Sequence, residues 1–419
     1  MSKLVVSGGG PLKGSICISG AKNSALPALA ACMLADSPCI LHQAPPLLDV
    51  ENMLSLLDCF GCRTTRTGDS VTVDPKRLSN AISPYELVSR FRASFLVMGP
   101  LLAKCGYSRI SLPGGCAIGA RPVDLHLKGF AALGARITQG HGYIEARAKK
   151  LRGAKIYLDF PSVGATQNLM MAACLADGQT TIENAATEPE VADLAAFLSD
   201  MGANILGAGT DTIRVFGVSR LKGAEHTVIP DRIEAGTFLA AAAITHGQVR
   251  LENTCREHLK PVVAKLQEIG AAVTEGASFT ELDARGKFHA SDIKTLPFPG
   301  FPTDMQAQFM SLMSVVDGTS IITETVFENR FLHVPELCRM NASIKIEGRT
   351  AVIEGQSRLT GAQVRATDLR AGAALTIAAL SARGETEITD AHHIWRGYHN
   401  FAQKLSTLGA KIRVDDTQI

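Results

Sequence analysis

The stretch LSDMGANIL, residues 198–206, has the form of a helix end followed by the start of a strand. Gly202 stands just after the helix, where glycine or asparagine best tolerates the left-handed backbone that stops a helix. The residues after it alternate in polarity, which is typical of a strand. Five further stretches have this form: LLDCFGCRTT (56–65), AALGARIT (131–138), LQEIGAAVT (266–274), CRMNASIKI (338–346) and LSTLGAKIR (405–413).

The spacing of these helix ends indicates an internal repeat. Upstream of each lies an apolar run, mostly rich in alanine, that leads into another strand; the copy around residues 94–114 is the most divergent. Each unit is therefore predicted to run strand, helix, strand, helix, strand over about 70 residues. Successive pivots are 73, 68, 68, 71 and 68 residues apart: Gly61, Gly134, Gly202, Gly270, Asn341 and Gly409.

The composition of the repeated helices predicts how they pack. Helices rich in Ala, Gly and Leu have little polar surface, so we expect them to be buried. The fold class that follows is α/β, with helices inside, sheets outside and six repeats grouped as two lobes of three. An open solenoid of six repeats with one binding surface is the alternative, and the low charge on the helices argues against it.

Length, charge and cysteine content restrict the class of protein. A chain of 419 residues with 46% hydrophobic and 20% charged residues is typical of a globular protein of two or three domains. A net charge of +2 provides no global field for nucleic acid or an anionic membrane. We expect no signal peptide or membrane span at the amino terminus. Ten cysteines that follow no regular disulfide framework favour reduced thiols in a cytoplasmic protein and no structural zinc.

A glycine-rich segment, PGGCAIGARP at 113–122, is the first candidate for chemistry. Adjacent glycines let the backbone bend tightly and approach a ligand. Cys116 lies at the centre of that bend and Arg121 follows five residues later. A thiol near a guanidinium or an anion site is a candidate acid, base or nucleophile. A glycine-rich turn with an incidental cysteine is the alternative.

Eight motifs in order along the whole chain resemble the UDP-N-acetylglucosamine enolpyruvyl transferase family. The motifs are AKNSALP (21–27), PGGCAIGARPVDLH (113–126), SVGATQN (162–168), PDRIEAGTF (230–238), FPTDMQAQ (301–308), TETVFENRF (323–331), ATDLRAGAAL (366–375) and RGY (396–398).

The resemblance implies an inside-out α/β barrel in each lobe. Residues 22–229 would form the lobe that carries the Cys116 loop and most nucleotide-sugar contacts. Residues 1–21 and 230–419 would form the other, which carries Asp304, Asp368, Arg370 and Arg396, with the active-site cleft between them. The implied reaction transfers enolpyruvyl from phosphoenolpyruvate to the 3′-hydroxyl of UDP-N-acetylglucosamine by addition and elimination, releases phosphate, and needs no cofactor and no metal.

The resemblance also implies two groups that move protons. Asp304 matches the base that faces the sugar hydroxyl, although an aspartate after Pro-Thr is also a good helix N-cap. Cys116 matches the proton donor to the enol carbon, a thiol that can also hold phospholactate covalently. Fosfomycin alkylates that cysteine, so we expect this inhibitor to inactivate the protein at Cys116.

Further residues match the family's binding positions. A solvated or salt-bridged side chain is the ordinary role of an arginine, but arginines at motif positions in different repeats favour one anion site. The phosphoenolpyruvate contacts are Lys22, Asn23, Arg121, Arg370 and Arg396, of which Lys22 and Arg396 are also implied to be catalytic and Asp368 supports the site. The nucleotide-sugar contacts are Arg92, Arg121, Pro122, Val123, Asp124, Leu125, Phe160, Ser162, Val163, Gly164, Asp304 and Val326.

Two other functions compete with this interpretation. The shikimate-pathway enolpyruvyl transferase shares the fold and the phosphoenolpyruvate site, but it lacks the cysteine loop followed by RPVDLH. A silent paralogue that binds a UDP-sugar without catalysis would be expected to have lost Lys22, Cys116, Asp304 or Arg396, and all four are present.

Overall fold

The computed structural model describes residues 2–112, 123–356 and 358–416, which form a mixed α/β structure with six small sheets. The chain divides into two compact units. The internal unit contains the described residues between 20 and 229, and the terminal unit contains 2–19 together with the described residues from 230 onward. Among the described helices, none has both the length and the apolar character that crossing a bilayer requires.

The strands along the described residues are β1 (Ser2–Ser7), β2 (Lys13–Cys17), β3 (Cys39–His42), β4 (Arg63–Thr67), β5 (Ser70–Asp74), β6 (Tyr107–Ser111), β7 (Arg136–Gly140), β8 (Tyr143–Arg147), β9 (Lys155–Tyr157), β10 (Gln179–Glu183), β11 (Asn204–Leu206), β12 (Thr212–Phe216), β13 (Glu225–Thr227), β14 (Gln248–Glu252), β15 (Ala272–Glu275), β16 (Phe279–Asp283), β17 (Ile293–Lys294), β18 (Thr319–Thr323), β19 (Ser343–Glu347), β20 (Thr350–Glu354), β21 (Gln363–Arg365), β22 (Glu385–Thr389) and β23 (Lys411–Asp416).

The helices of the same residues are α1 (Lys22–Ala31), α2 (Leu48–Cys59), α3 (Tyr85–Val88), α4 (Met98–Cys105), α5 (Asp124–Ala132), α6 (Val163–Ala173), α7 (Pro189–Asp200), α8 (Arg232–Ile244), α9 (Arg256–Glu268), α10 (Gln306–Met313), α11 (Val334–Arg339), α12 (Leu369–Ser381) and α13 (Phe401–Thr407). Short 3₁₀ helices cover Cys32–Leu34, Arg92–Val97, Thr303–Met305 and Ala391–Arg396.

Five of the sheets share one pattern, in which a parallel pair of strands is extended by two antiparallel pairings. The internal unit has the orders β13-β3-β5-β4 and β11-β12-β10-β9; the terminal unit has β15-β16-β14-β2, β17-β18-β20-β19 and β21-β22-β1-β23. The sixth sheet, β6-β8-β7, is antiparallel throughout. Its parallel neighbour is reduced to one bridge between Ile82 and Arg109, in the copy whose sequence diverges most.

The six predicted helix ends are confirmed. Each pivot lies two residues beyond its helix with a positive φ, from +71° at Asn341 to +108° at Gly270. After α7, the Ala203 N–H donates to the Leu198 carbonyl at 2.9 Å, the bond that closes a Schellman motif. The equivalent bonds after the other five helices are Cys62 to Leu57, Ala135 to Phe130, Ala271 to Leu266, Ala342 to Leu337 and Ala410 to Leu405.

The prediction that the alanine-rich helices are buried is also confirmed. All eight residues of α10 are buried, and α8 buries every residue except Arg232. In α1 all but Asn23 are buried. Their small apolar side chains let neighbouring helices approach closely, and these helices have no polar face that would need contact with water. Each unit has its own apolar core, one built around α1 and α6 and the other around α8, α10 and α12.

The helix ends support a stability prediction at Gly409, where φ is +95° and an added Cβ would meet no atom within 4 Å. Gly409→Ala should lower the free energy of unfolding by about 1–2 kcal/mol, because only the strained backbone changes. Gly409→Asn should lower it less, since asparagine already holds this position after α11. Urea denaturation midpoints of the two variants test the order; equal midpoints for wild type and Gly409→Ala would contradict it.

Candidate active site

Asp304 lies between two arginines in the terminal unit. It belongs to the 3₁₀ turn Thr303–Met305 that leads into α10. Its Oδ1 accepts from Nη2 of Arg330 at 2.7 Å and its Oδ2 accepts from Nη2 of Arg370 at 2.8 Å. Pro302 occupies the N-cap of the turn, and no side chain caps it. The carboxylate is therefore engaged by guanidinium groups instead of capping the helix.

The two guanidinium groups determine the protonation of Asp304. Burial by itself would raise the pKa of this carboxyl, but Arg370 and Arg330 hold the pKa well below its usual range. Both arginines are only 6% exposed, so water screens their charges little. Asp304 is consequently ionised at neutral pH, and while both ion pairs persist it is a weak base.

The start of α12 fixes Arg370. Asp368 is the N-cap of that helix, and its Oδ1 accepts from the backbone N–H groups of Arg370 and Ala371 at 2.8 and 3.1 Å. The Arg370 guanidinium also lies 5.4 Å from the ring centre of Tyr398. The supporting position predicted for Asp368 thus corresponds to a helix cap that holds Arg370 in place.

Buried polar side chains complete the surroundings of Asp304. The side-chain amide of Gln308 donates to the Asp304 carbonyl at 2.8 Å and to the Tyr398 hydroxyl at 3.2 Å. That hydroxyl lies 3.0 Å from the hydroxyl of Thr237 on α8. The backbone around Asp304 is therefore tied to α8, α10 and the RGY segment.

Arg330 is a functional candidate that the sequence analysis missed. It lies within TETVFENRF, one of the motifs that carry the resemblance, but no role was assigned to it. Besides Asp304, its Nη1 donates to Oγ1 of Thr303 at 3.0 Å. In the sequence, the position of Arg330 inside a functional motif was the only sign that it could have a role. Its contact with Asp304, 26 residues away, depends on tertiary structure.

Lys22 opens α1 in the internal unit, as predicted. Its Nζ lies 3.2 Å from Oδ2 of Asp49 on α2, and both side chains are buried. No side chain caps this helix, whose N-cap is Ala21. Lys22 and the first backbone N–H groups of α1 together suit an anion, with Asn23 next in the chain.

The structure brings together two of the segments predicted to hold the nucleotide sugar. Asp124 and Leu125 begin α5, and Val123 is its N-cap. On the same helix His126 packs against Gly164, where an added Cβ would lie 3.4 Å from Cε1 of the ring. Nδ1 of His126 is 3.1 Å from Nδ2 of Asn168 on α6. The starts of α5 and α6 are therefore neighbours.

The hydroxyl of Ser162 caps α6 by accepting from the Ala165 N–H at 3.3 Å, and Val163 is the first residue of the helix. Phe160 is 43% exposed just before it. Arg92 begins the 3₁₀ helix Arg92–Val97, and Arg396 ends the 3₁₀ helix Ala391–Arg396.

The structure describes most, but not all, of the predicted site residues. Cys116, Arg121 and Pro122 lie outside the described residues. In the described part of the chain, no three His, Cys, Asp or Glu side chains are grouped so that they could hold a metal ion. Asp304, Arg370 and Asp368 are brought together, whereas Lys22 and the α5–α6 segments belong to the other unit.

Comparison with known proteins identifies the class of this α/β fold. Residues 6–405 match the family model described as EPSP synthase (3-phosphoshikimate 1-carboxyvinyltransferase). The enolpyruvyl transferase NikO from Streptomyces tendae superposes with a TM-score of 0.90 at 25% identity, covering 100% of this chain and 99% of that one. EPSP synthase from Acinetobacter baumannii shares the fold, with a TM-score of 0.78 at 18% identity and coverage of 99% and 100%. The fold is thus that of an enolpyruvyl (carboxyvinyl) transferase.

Closer relatives narrow the assignment. UDP-N-acetylglucosamine 1-carboxyvinyltransferase 1 of Caldanaerobacter subterraneus is 61% identical over 98% of this chain and 99% of its own. UDP-N-acetylglucosamine 1-carboxyvinyltransferase 2 of Carboxydothermus hydrogenoformans is 58% identical over 99% and 100%. The chain belongs to the EPSP synthase family, in its UDP-N-acetylglucosamine 1-carboxyvinyltransferase branch.

Proposed function

We propose that this protein transfers the enolpyruvyl group of phosphoenolpyruvate to the 3′-hydroxyl of UDP-N-acetylglucosamine and releases phosphate, the first committed step of peptidoglycan synthesis. The observation that carries the proposal is the identity of 58–61% over nearly the full length with relatives of that name. The polar environment of Asp304 supports it, because addition of an alcohol to an enol needs a positioned base.

Asp304 is the proposed base for the sugar hydroxyl. Its two guanidinium partners make it a weak base in the free protein, but guanidinium groups also bind carboxylates and phosphates. When the anionic groups of phosphoenolpyruvate compete for Arg370 and Arg330, the pKa of Asp304 rises toward its usual range. Asp304 therefore becomes a stronger base only when phosphoenolpyruvate is bound.

Cys116 is the proposed proton donor to the enol carbon and the site of fosfomycin alkylation. The remaining phosphoenolpyruvate contacts are assigned to Lys22, Asn23, Arg121 and Arg396 together with Arg370. The buried ammonium of Lys22 at the start of α1 supports its part of this assignment, because a positive charge at a helix N-terminus attracts an anion.

The nucleotide sugar is assigned to the α5 and α6 segments of the internal unit and to Val326 of the terminal unit. The contact between His126 and Gly164 supports the first part, since His126 lies on the first turn of α5 and Gly164 on the first turn of α6. Arg92, Arg121, Pro122, Val123, Phe160 and Asp304 are the other proposed contacts.

The proposal extends to architecture and location. Six units of strand, helix, strand, helix, strand would form two inside-out barrels of three units, with residues 22–229 in one lobe and 1–21 plus 230–419 in the other. The shared sheet pattern and the six alike helix ends support this arrangement. We also propose a cytoplasmic location, because the described cysteines are free thiols.

Phosphate release from phosphoenolpyruvate tests the reaction. We expect release that requires UDP-N-acetylglucosamine, does not occur with shikimate 3-phosphate, and stops after treatment with fosfomycin. Release with shikimate 3-phosphate instead would move the protein to the other acceptor class. Folded protein that binds UDP-N-acetylglucosamine but releases no phosphate would indicate a silent paralogue.

A cysteine variant tests the inhibitor site. Cys116→Asp should retain phosphate release and lose its sensitivity to fosfomycin, because a carboxyl can donate a proton but is not alkylated as a thiolate is. Cys105→Ser is the control, since Cys105 is an exposed free thiol elsewhere in the internal unit, and it should remain sensitive. Fosfomycin inactivation of Cys116→Asp at the wild-type rate would contradict the assignment.

A further inference from the structure

We propose that Glu324 is a positioning residue that sets the Val326 peptide and, through Thr303 and Arg330, the orientation of Asp304. It acts through these groups and is not assigned a contact with substrate. The proposal rests on the proposed function, in which Val326 contacts the nucleotide sugar and Asp304 is the base.

Glu324 follows the last residue of β18 and is 1% exposed. Its Oε1 accepts from the backbone N–H groups of Val326 and Phe327 at 2.8 and 3.2 Å. The same oxygen accepts from the hydroxyl of Thr295 at 2.9 Å. The carboxylate therefore holds the turn that presents Val326.

The other oxygen of Glu324 reaches the Asp304 site. Its Oε2 accepts from the Thr303 hydroxyl at 2.7 Å. A hydroxyl has one proton, so Thr303 that donates to Glu324 offers its lone pairs to Nη1 of Arg330, 3.0 Å away. Nη2 of the same guanidinium donates to Asp304. The direction of every bond in this chain follows from Glu324 being an acceptor only.

A negative charge is needed for this arrangement. Within the described ranges, no lysine, arginine or histidine forms an ion pair with Glu324, and its hydrogen-bond donors are all neutral. These four donors offset the cost of burying the carboxylate without a cation. A glutamine of the same size would fill the same space, but its amide nitrogen would donate where the Thr303 proton must go.

Glu324→Gln tests the proposal. If the amide oxygen keeps the Val326 turn, the amide nitrogen faces Thr303 and donates to its hydroxyl oxygen, where it competes with Nη1 of Arg330. We expect kcat to fall about 10- to 100-fold, the range for loss of one hydrogen bond to a charged group. If the amide is placed the other way, the turn at Val326 is disturbed and the KM for UDP-N-acetylglucosamine rises by a similar factor.

Thr303 variants separate the two branches and do not depend on how Glu324→Gln folds. Thr303→Val removes the hydroxyl but leaves the Val326 turn, so kcat should fall about 10-fold or more with an unchanged KM for the nucleotide sugar. Thr303→Ser keeps the hydroxyl and should restore kcat. The double variant Glu324→Gln/Thr303→Val should be less impaired than the product of the two single effects, because both act on Arg330.

Glu354→Gln is the matched control, since Glu354 is an exposed glutamate of the same unit bound to Ser343 at 3.2 Å; its kcat and KM should stay within about twofold. Wild-type values for both Glu324→Gln and Thr303→Val would overturn the proposal, as would effects that multiply in the double variant. Wild-type protein that releases no phosphate with UDP-N-acetylglucosamine would instead overturn the proposed function.

Discussion

Asp304→Asn is expected to lower kcat by about 10³-fold while both substrates still bind, within the 10²- to 10⁴-fold range that a positioned general base supplies. Asparagine keeps the shape of the side chain but cannot take the sugar proton. It also releases Arg330 and Arg370 from their ion pairs, so the KM for phosphoenolpyruvate should not rise. Steady-state phosphate release at varied phosphoenolpyruvate gives both constants.

The same assignment predicts a pH dependence. Arg370 and Arg330 hold the pKa of Asp304 below its usual range in the free protein, so the base is lost only as the pH falls through that depressed pKa. The pH profile of kcat/KM reports the pKa of the base in the free protein, and the pH profile of kcat reports its pKa in the substrate complex. Because phosphoenolpyruvate competes for the guanidinium groups, the acidic limb of kcat should lie at higher pH than that of kcat/KM.

Asp317→Asn provides the control for Asp304→Asn. Asp317 is exposed and follows α10 in the same unit, so its variant should keep wild-type kcat. Binding of UDP-N-acetylglucosamine shows that each variant is folded. A folded Asp304→Asn with kcat within about tenfold of wild type, which is an increase of less than about 1.4 kcal/mol in the activation barrier, would remove Asp304 from the role of base.

Lys22→Ala is expected to lower kcat/KM for phosphoenolpyruvate by roughly 30- to 4,000-fold. This factor corresponds to the binding free energy of about 2–5 kcal/mol that is lost when one member of a buried charge pair is truncated. Lys22 is 9% exposed and its ammonium lies 3.2 Å from Asp49. Bulk water therefore has little access to the site and cannot compensate for the loss of the ammonium as a partner of the anion. Phosphate release at varied phosphoenolpyruvate measures the loss.

Lys104→Ala is the matched control for Lys22→Ala. Lys104 is a partly buried lysine of the same unit that also pairs with an aspartate, Asp36, but it contacts none of the proposed substrate positions. Its variant should be somewhat less stable and retain kcat/KM within about twofold. Equal losses in the two lysine variants would show that ion-pair removal, not anion binding, causes the effect of Lys22→Ala.

The helix ends and the buried helices could be predicted because they depend on local residues. Gly202 and its equivalents stop helices through their own backbone freedom, and the apolar composition of α8 and α12 leaves them no solvated face. In the described part of the chain, the sheet β6-β8-β7 has three strands instead of four. It belongs to the copy that departs most from the pattern, although the lower strand number was not predicted.

The role of Asp304 could not be predicted from its neighbours in the chain. FPTDMQ allowed a helix cap as well as a base, and both are consistent with an aspartate after Pro-Thr. Arg330 and Arg370, 26 and 66 positions away, decide where the carboxylate is engaged. Glu324 lies in the motif TETVFENRF, yet its links to Thr295 and Thr303 join three separate segments of the chain.

The sequence by itself determined the helix ends, the burial of the alanine-rich helices and the family, because these depend on local backbone preference, composition and motifs in order. The tertiary structure alone decided the ion pairs of Asp304, the lowered pKa of its carboxyl and the chain of hydrogen bonds from Glu324. The physical reason is that charges and hydrogen bonds act over a few ångströms in space, whereas their partners lie tens of residues apart in the chain.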